Sequence, residues 1–137
     1  MKRTATANWN GSGKDGNGNL TTQSGVLQGT QYSYKSRFEQ GTGTNPEELI
    51  AAAHAGCFTM KLSFVLGSAG FIPDSIETTS EVELEAGTIR SSHLTVKAKV
   101  PGITPERFQQ CVEEAKNDCP VSKALSALEI KATAQLA

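Results

Sequence analysis

The chain has 137 residues, 37% hydrophobic and 20% charged, with a formal net charge of −1. That length can bury a core without staples, and one domain over residues 1–137 is the expectation. With Lys and Arg scattered and balanced by acids, the footprint of a nucleic-acid or anionic-membrane binder is missing, and neither partner is expected.

Met1-Lys2-Arg3 leads into Thr4-Ala5-Thr6 without an apolar core behind it, so no secretory signal is read here. The first 40 residues read as β. Lys2 to Trp9 alternates, Gly11, Gly13, Gly16 and Gly18 punctuate a polar turn, and Leu20 to Val26 resumes. The turn is not a phosphate loop, because Lys14 is followed by Asp15 rather than Ser or Thr. Gln31 to Phe38 alternates again, with Tyr32, Tyr34, Ser36 and Phe38 on one face of a predicted strand and Ser33, Lys35 and Arg37 on the other.

The clearest helix start is Thr44-Asn45-Pro46-Glu47-Glu48. Asn45 suits the N-cap, Pro46 the first helical position, and Glu48 the third residue of a capping box. The helix is expected to run about 20 residues, to the stop at Gly67-Ser68-Ala69-Gly70. It is apolar on most faces, so it should be buried between a sheet and something else, for which a second subunit is a candidate. His54, Lys61 and Ser63 interrupt Leu49 to Leu66, which is read as falling short of the roughly 20 apolar residues of a membrane span.

Ser75 to Leu84 and Thr88 to Val100 are predicted strands joined around Glu85-Ala86-Gly87. Thr104-Pro105-Glu106 caps a helix to about Asn117, with Phe108, Cys111, Val112 and Ala115 at core spacing. A short helix from Pro120 to about Leu125 and a strand from Leu128 to Leu136 close the chain. The order βββ-α-ββ-α-α-β predicts an α+β domain with antiparallel sheet around a long buried helix.

Chemistry rests on three cysteines. An odd count in a chain expected to be cytoplasmic points to reduced thiols. Cys111 lies on the apolar stripe of its helix and is read as core. Cys119, in Asp118-Cys119-Pro120, would cap a helix, where unpaired amides lower a thiol pKa while Asp118 opposes them. Cys57 shares a helix face with His54, three residues earlier, and has Gly56 beside it. The residues alone leave Cys57 open between packing and reactivity, and His54 open between tuning and packing. Cys57, Cys111, Cys119, His54 and His93 lack zinc-site spacing, so no metal is expected. No Gly-x-Ser-x-Gly elbow supports a hydrolase.

The run Arg37-Phe38-Glu39, then Gly43-Thr44-Asn45-Pro46-Glu47-Glu48-Leu49-Ile50-Ala51-Ala52-Ala53-His54-Ala55-Gly56-Cys57-Phe58, closely resembles the OsmC branch of the OsmC/Ohr family. Gly70-Phe71-Ile72-Pro73 and Cys119-Pro120-Val121-Ser122-Lys123-Ala124-Leu125 extend the likeness over nearly the whole chain. The resemblance implies an intertwined homodimer with active sites at the subunit interface. It also implies a thiol peroxidase that reduces organic hydroperoxides, and hydrogen peroxide more slowly, in oxidative and osmotic stress defence.

On this likeness Cys57 attacks the peroxide, Cys119 resolves it as a Cys57–Cys119 disulfide, Arg37 holds the thiolate, and Glu47 orients Arg37. The implied reductant is a lipoyl-type dithiol, with no metal or bound organic cofactor. Physical chemistry fits these roles. A guanidinium lowers the pKa of a thiolate that apolar surroundings would raise, and its planar fork binds sulfur and carboxylate together. Glu47 and Cys57 are ten residues apart, about 15 Å of rise in a straight helix. A shared Arg37 must therefore be reached through a helix break or from the partner chain, and the partner chain is the expectation. Two rival readings share the fold: a non-catalytic binder of hydrophobic small molecules, and a redox-sensing dimer.

Overall fold

In the computed structural model, which describes residues 1–137, the chain divides into two bodies, Met1–Leu49 and Ile50–Ala137. The first is a three-stranded antiparallel sheet of β1 (Ala5–Asn10), β2 (Asn17–Thr22) and β3 (Thr30–Tyr32), in that order, followed by the helix α1 (Tyr34–Phe38). The glycine-rich segment forms the β1–β2 turn, as expected. β2 ends earlier than its pattern suggests because Gly25, at φ +77°, turns the chain and donates its N–H to the Thr22 carbonyl at 2.9 Å.

The expected strand from Gln31 to Phe38 is corrected. Only Thr30–Tyr32 is extended, and Tyr34–Phe38 is helical. A reciprocal cap decides it: the Ser36 amide donates to Ser33 Oγ at 3.2 Å, and the Ser33 amide donates to Ser36 Oγ at 2.8 Å. Two orphan amides are satisfied at once, which outweighs a two-residue alternation on so short a segment. Tyr34 and Phe38, one turn apart, then pack with ring centroids 4.8 Å apart.

The long helix α2 runs unbroken from Pro46 to Ser68. Its start follows the expected logic, with the Glu48 amide donating to Asn45 Oδ1 at 2.9 Å. The Glu48 carboxylate, however, accepts from the Thr44 hydroxyl rather than reaching back to the cap amide. Thr44 is held in turn beside β3, its amide donating to the Gln31 carbonyl at 2.8 Å. Gly43, at φ +111°, permits that approach, since a Cβ there would collide with the same carbonyl.

The second body holds most of α2 with β4 (Ser75–Glu85), β5 (Thr88–Lys99), α3 (Pro105–Asp118), α4 (Pro120–Ala124) and β6 (Glu129–Leu136). β4 and β5 form the expected antiparallel hairpin, turning at Ala86 and Gly87, both at positive φ. β6 joins the other edge of β5 in parallel. The crossover through α3 and α4 brings the chain back to start in the same direction.

Along α2, His54, Phe58, Leu62, Val65 and Leu66 are buried, and the four apolar ones share a core with Leu94 and Val96 of β5 and Phe108, Cys111 and Val112 of α3. Each fully buried Phe or Leu side chain contributes about 1.5–3 kcal/mol over its exposed state. The opposite flank is not covered: Met60 is 65% exposed and Phe64 68%. The membrane reading needs correction too, because α2 reaches a mean hydropathy of 1.6 over an 18-residue window and so qualifies as a span by length and composition. What argues for a core helix is the fully buried, doubly hydrogen-bonded His54 on the face that packs against the sheet.

Candidate active site

In the first body, α1 presents Arg37 and the first turn of α2 presents Glu47. Arg37 Nη2 donates to Glu47 Oε1 at 2.8 Å, and Nε donates to Oε1 at 3.1 Å and Oε2 at 3.3 Å. This is a fork-to-fork pair, which fixes the guanidinium plane and leaves Nη1 without a bond to the carboxylate. The Phe38 ring lies under the guanidinium, 5.2 Å from Cζ to centroid. Had residues 31–38 been a strand, Arg37 and Phe38 would point to opposite faces. The helical turn lets them act together.

In the second body, Cys57 on α2 and Cys119 between α3 and α4 are both free thiols, with sulfurs 2.9 Å apart. Cys119 is fully buried, whereas Cys57 is half-buried. Cys57 opens onto a cavity of about 270 Å³ lined also by Met60, Lys61, Phe64, Asp118 and Pro120. A larger cavity, about 590 Å³ and bordered by Gly56, Met60 and Ile76, is lined by no ionisable side chain.

The two thiols share their ionisation. Burial pushes Cys57 up, and the hydrogen bond with Cys119 adds to that, while Lys61 pulls the other way. Burial also opposes ionisation of Cys119, but the hydrogen bond shared with Cys57 and the nearby amide and hydroxyl of Ser122 overcome it, so Cys119 lies below its ordinary value. Cys119 does cap α4, as expected, but its side chain makes no cap hydrogen bond, and α4 has only five residues. What acts on the thiol is its sulfur partner and Ser122 rather than an extended helix dipole. Asp118 is itself drawn off by Lys61 at 3.9 Å and Lys123 at 3.5 Å.

His54 does not bond to Cys57, although the two share a helix. Its Nδ1 lies 2.7 Å from Ser92 Oγ and its Nε2 lies 2.8 Å from Ser122 Oγ. Burial holds the imidazole below its ordinary pKa, hence neutral. Cys111 is fully buried among Phe108, Val112 and Ala115, and burial pushes its thiol up, consistent with a core role. His93 is exposed on β5, paired with Thr133 at 3.0 Å.

Sequence reasoning missed Lys61, Ser92 and Ser122. Ser122 carried a local signal, three residues after a helix-capping cysteine. Ser92 carried none, being one polar residue on the inward face of a strand.

A sequence profile described as OsmC-like protein matches residues 39–134. The chain belongs to the OsmC-like family. Glu47, Cys57 and Cys119 fall inside the match, and Arg37 stands two residues before it. The chain is 49% identical over 125 residues to Peroxiredoxin OsmC of Escherichia coli, covering 88% of this chain and 87% of that protein. Among solved structures, the organic hydroperoxide resistance protein OhrB of Bacillus subtilis matches with a TM-score of 0.68 at 27% identity, over 96% of this chain and 98% of that one. An OsmC-like protein from Mycoplasma pneumoniae matches with a TM-score of 0.77 at 14% identity, over 99% and 97% of the two chains. That last likeness speaks for the OsmC-like fold alone.

Proposed function

We propose that this chain is a cysteine-based peroxidase for organic hydroperoxides, with Cys57 as the peroxide-reducing thiol and Cys119 as the resolving one. The observation that carries it is the asymmetry of the pair: two free sulfurs in contact, one open to an apolar-walled cavity and one sealed in the core. A substrate oxygen can reach Cys57, and Cys119 can be reached only by Cys57. The relatives named peroxiredoxin and organic hydroperoxide resistance protein support the same substrate class.

The Cys57 thiolate attacks the distal peroxide oxygen, the O–O bond breaks, and the alkoxide leaves as alcohol after taking a proton. Cys57 is then a sulfenic acid. Cys119 displaces its hydroxyl as water, closing a disulfide. An external dithiol, of lipoyl type on the family likeness, reduces that disulfide in two exchanges. No step calls for a metal or a bound cofactor.

Ionisation of the pair explains why a further cation is needed. Burial and the Cys119 hydrogen bond hold the Cys57 thiol above its ordinary range, and the cation acting against them is Lys61. A guanidinium against Cys57 would bring the charge to the outer sulfur and stabilise the departing oxyanion. Arg37, aligned by Glu47, is the residue proposed for this, supplied by the partner subunit of a homodimer. The uncovered apolar flank at Met60 and Phe64 supports that arrangement. Residues 1–137 would then act as one functional domain within a cytoplasmic dimer.

The test is a thiol count and intact mass before and after one equivalent of tert-butyl hydroperoxide, followed by a dithiol chase. The expected result is loss of two thiols, mapped to Cys57 and Cys119 and reversible over repeated cycles. Folded protein that loses no thiols would end the peroxidase reading in favour of a non-catalytic binder. Oxidation without repeated turnover would favour a redox sensor.

A further inference from the structure

The chain's single Trp and both of its Tyr residues line one cavity of the first body. The cavity measures about 130 Å³, and Trp9, Tyr32, Tyr34 and Phe38 wall it together with Arg37 and Pro46. Sheet register builds its floor. Trp9 stands opposite Gly18 across β1–β2, and Gly18 opposite Tyr32 across β2–β3, so the three form one row on one face. Gly18 brings no side chain to that row, and the two rings close over it with centroids 5.3 Å apart. A Cβ at Gly18 would stand 2.7 Å from the Trp9 ring and 2.6 Å from the Tyr32 ring. The remaining aromatic wall is the Tyr34–Phe38 pair of α1, with the Arg37 guanidinium over Phe38.

These rings are not a core. The fully enclosed apolar side chains of the chain all belong to the second body. Trp9 and Phe38 are exposed, and both tyrosines are half-buried. Aromatic side chains held open around a cavity offer large apolar contact area with few rotamers to freeze. The Trp9 indole N–H is already satisfied, donating to the Ser12 carbonyl at 3.2 Å, so the ring presents an apolar face. One charged group stands at the edge. Glu47 engages Nε and Nη2 of Arg37 and leaves Nη1 without a carboxylate partner. An apolar cavity with one placed polar group is the form of a small-molecule site. Its volume is close to that of the apolar cavity of about 150 Å³ that takes up benzene.

We propose that this cavity binds the organic group of the substrate as a single aryl ring, with Trp9 and Tyr32 as specificity-determining residues for aryl hydroperoxides. This rests on the peroxidase reading of the dithiol. The ring lies among the four aromatic side chains, and the peroxide oxygens lie at Arg37, whose Nη1 donates a hydrogen bond to them. The guanidinium proposed to steady the departing oxyanion is thus also the polar end of the substrate site. Hydrogen peroxide carries no group for the cavity, and a tert-butyl group enters it without a flat face to set against the rings.

The test uses Trp9 as its own reporter, since no other Trp emits. The reduced full-length chain is titrated with 2-phenyl-2-propanol, the alcohol that cumene hydroperoxide leaves, and with tert-butanol. The phenyl alcohol should change the Trp9 emission saturably, and tert-butanol should bind about tenfold more weakly. Tyr32→Leu should weaken the phenyl alcohol about tenfold, while Tyr32→Phe, which keeps the ring, should restore it.

Steady-state kinetics supply the second reading. The ratio of kcat/KM for cumene hydroperoxide to that for tert-butyl hydroperoxide should fall about tenfold in Trp9→Leu and in Tyr32→Leu, through KM rather than kcat. An unmoved ratio in folded variants would overturn the proposal. So would a wild-type emission that does not respond to the phenyl alcohol, as expected if a second subunit closes the cavity. The titration needs neither a variant nor a peroxide. A chain that binds the phenyl alcohol but consumes no peroxide would overturn the peroxidase reading and leave the aryl site standing, and turnover without binding would do the reverse.

Discussion

The sulfurs of Cys57 and Cys119, 62 residues apart in sequence, lie 2.9 Å from each other with only the first accessible. An S–S bond is about 2.05 Å long, so closure asks for a small approach of two side chains rather than a rearrangement of the fold.

That asymmetry separates two variants. Cys57→Ser should consume no peroxide and lose no thiols. Cys119→Ser should perform one oxidation and stop at a Cys57 sulfenic acid, read as a single dimedone adduct by intact mass. Equal behaviour of the two would refute the division of roles.

Arg37 is held by a two-pronged carboxylate, and Lys cannot reproduce that geometry. Arg37→Lys is expected to lower kcat/KM by about 100-fold, on the scale of losing one oxyanion donor. Glu47→Gln should cost about tenfold, because it weakens alignment while leaving the cation. Steady-state kinetics with tert-butyl hydroperoxide and a dithiol reductant would check both. Full activity in Arg37→Lys would mean that charge alone suffices.

His54 makes stability depend on pH. Its ordinary value is 6.5 and burial lowers it in the folded state. Between the two values the unfolded chain binds the proton and the folded chain does not, so stability rises with pH there. The contribution is complete above about pH 6.5 and is lost as pH falls towards the folded value, by at most about 1.4 kcal/mol per unit. Urea midpoints taken from pH 7 downward should drop in the wild type and flatten in His54→Gln. A wild-type profile with no fall below pH 6.5 would contradict a neutral buried imidazole.

Cys111 is expected to matter for packing only. Cys111→Ala removes one buried atom from the contact with Phe108 and Val112, at a cost of about 1 kcal/mol. Urea denaturation should show that loss with peroxide turnover intact.

The uncovered flank of α2 gives a prediction about assembly. Met60 and Phe64, one turn apart, should lie within the dimer interface, so Phe64→Glu should shift the sedimentation coefficient from dimer to monomer. Peroxidase activity should fall with it if Arg37 comes from the partner. A monomeric yet active variant would place Arg37 in its own subunit's site.

Much of this was legible in the sequence. Local chemistry determined the start of α2, because Asn45, Pro46 and Glu48 act within one turn. It likewise determined the β4–β5 hairpin, the capped helix α3 and the core position of Cys111. Alternation misread residues 31–38, since a reciprocal pair of serines competes with a strand pattern over so few residues.

Other features were beyond local reading. The contact between Cys57 and Cys119 spans 62 residues, and the sequence argued that pairing only through its family likeness. The partners of His54 come from 38 and 68 residues away, on a strand and a one-turn helix. The parallel pairing of β6 followed from a crossover that no local pattern announces. Caps and turns are energies of neighbouring residues, so the sequence by itself determined them. Which thiol is sealed, which stays open and what holds the histidine depend on how distant segments exclude water together, and only the tertiary structure decided that.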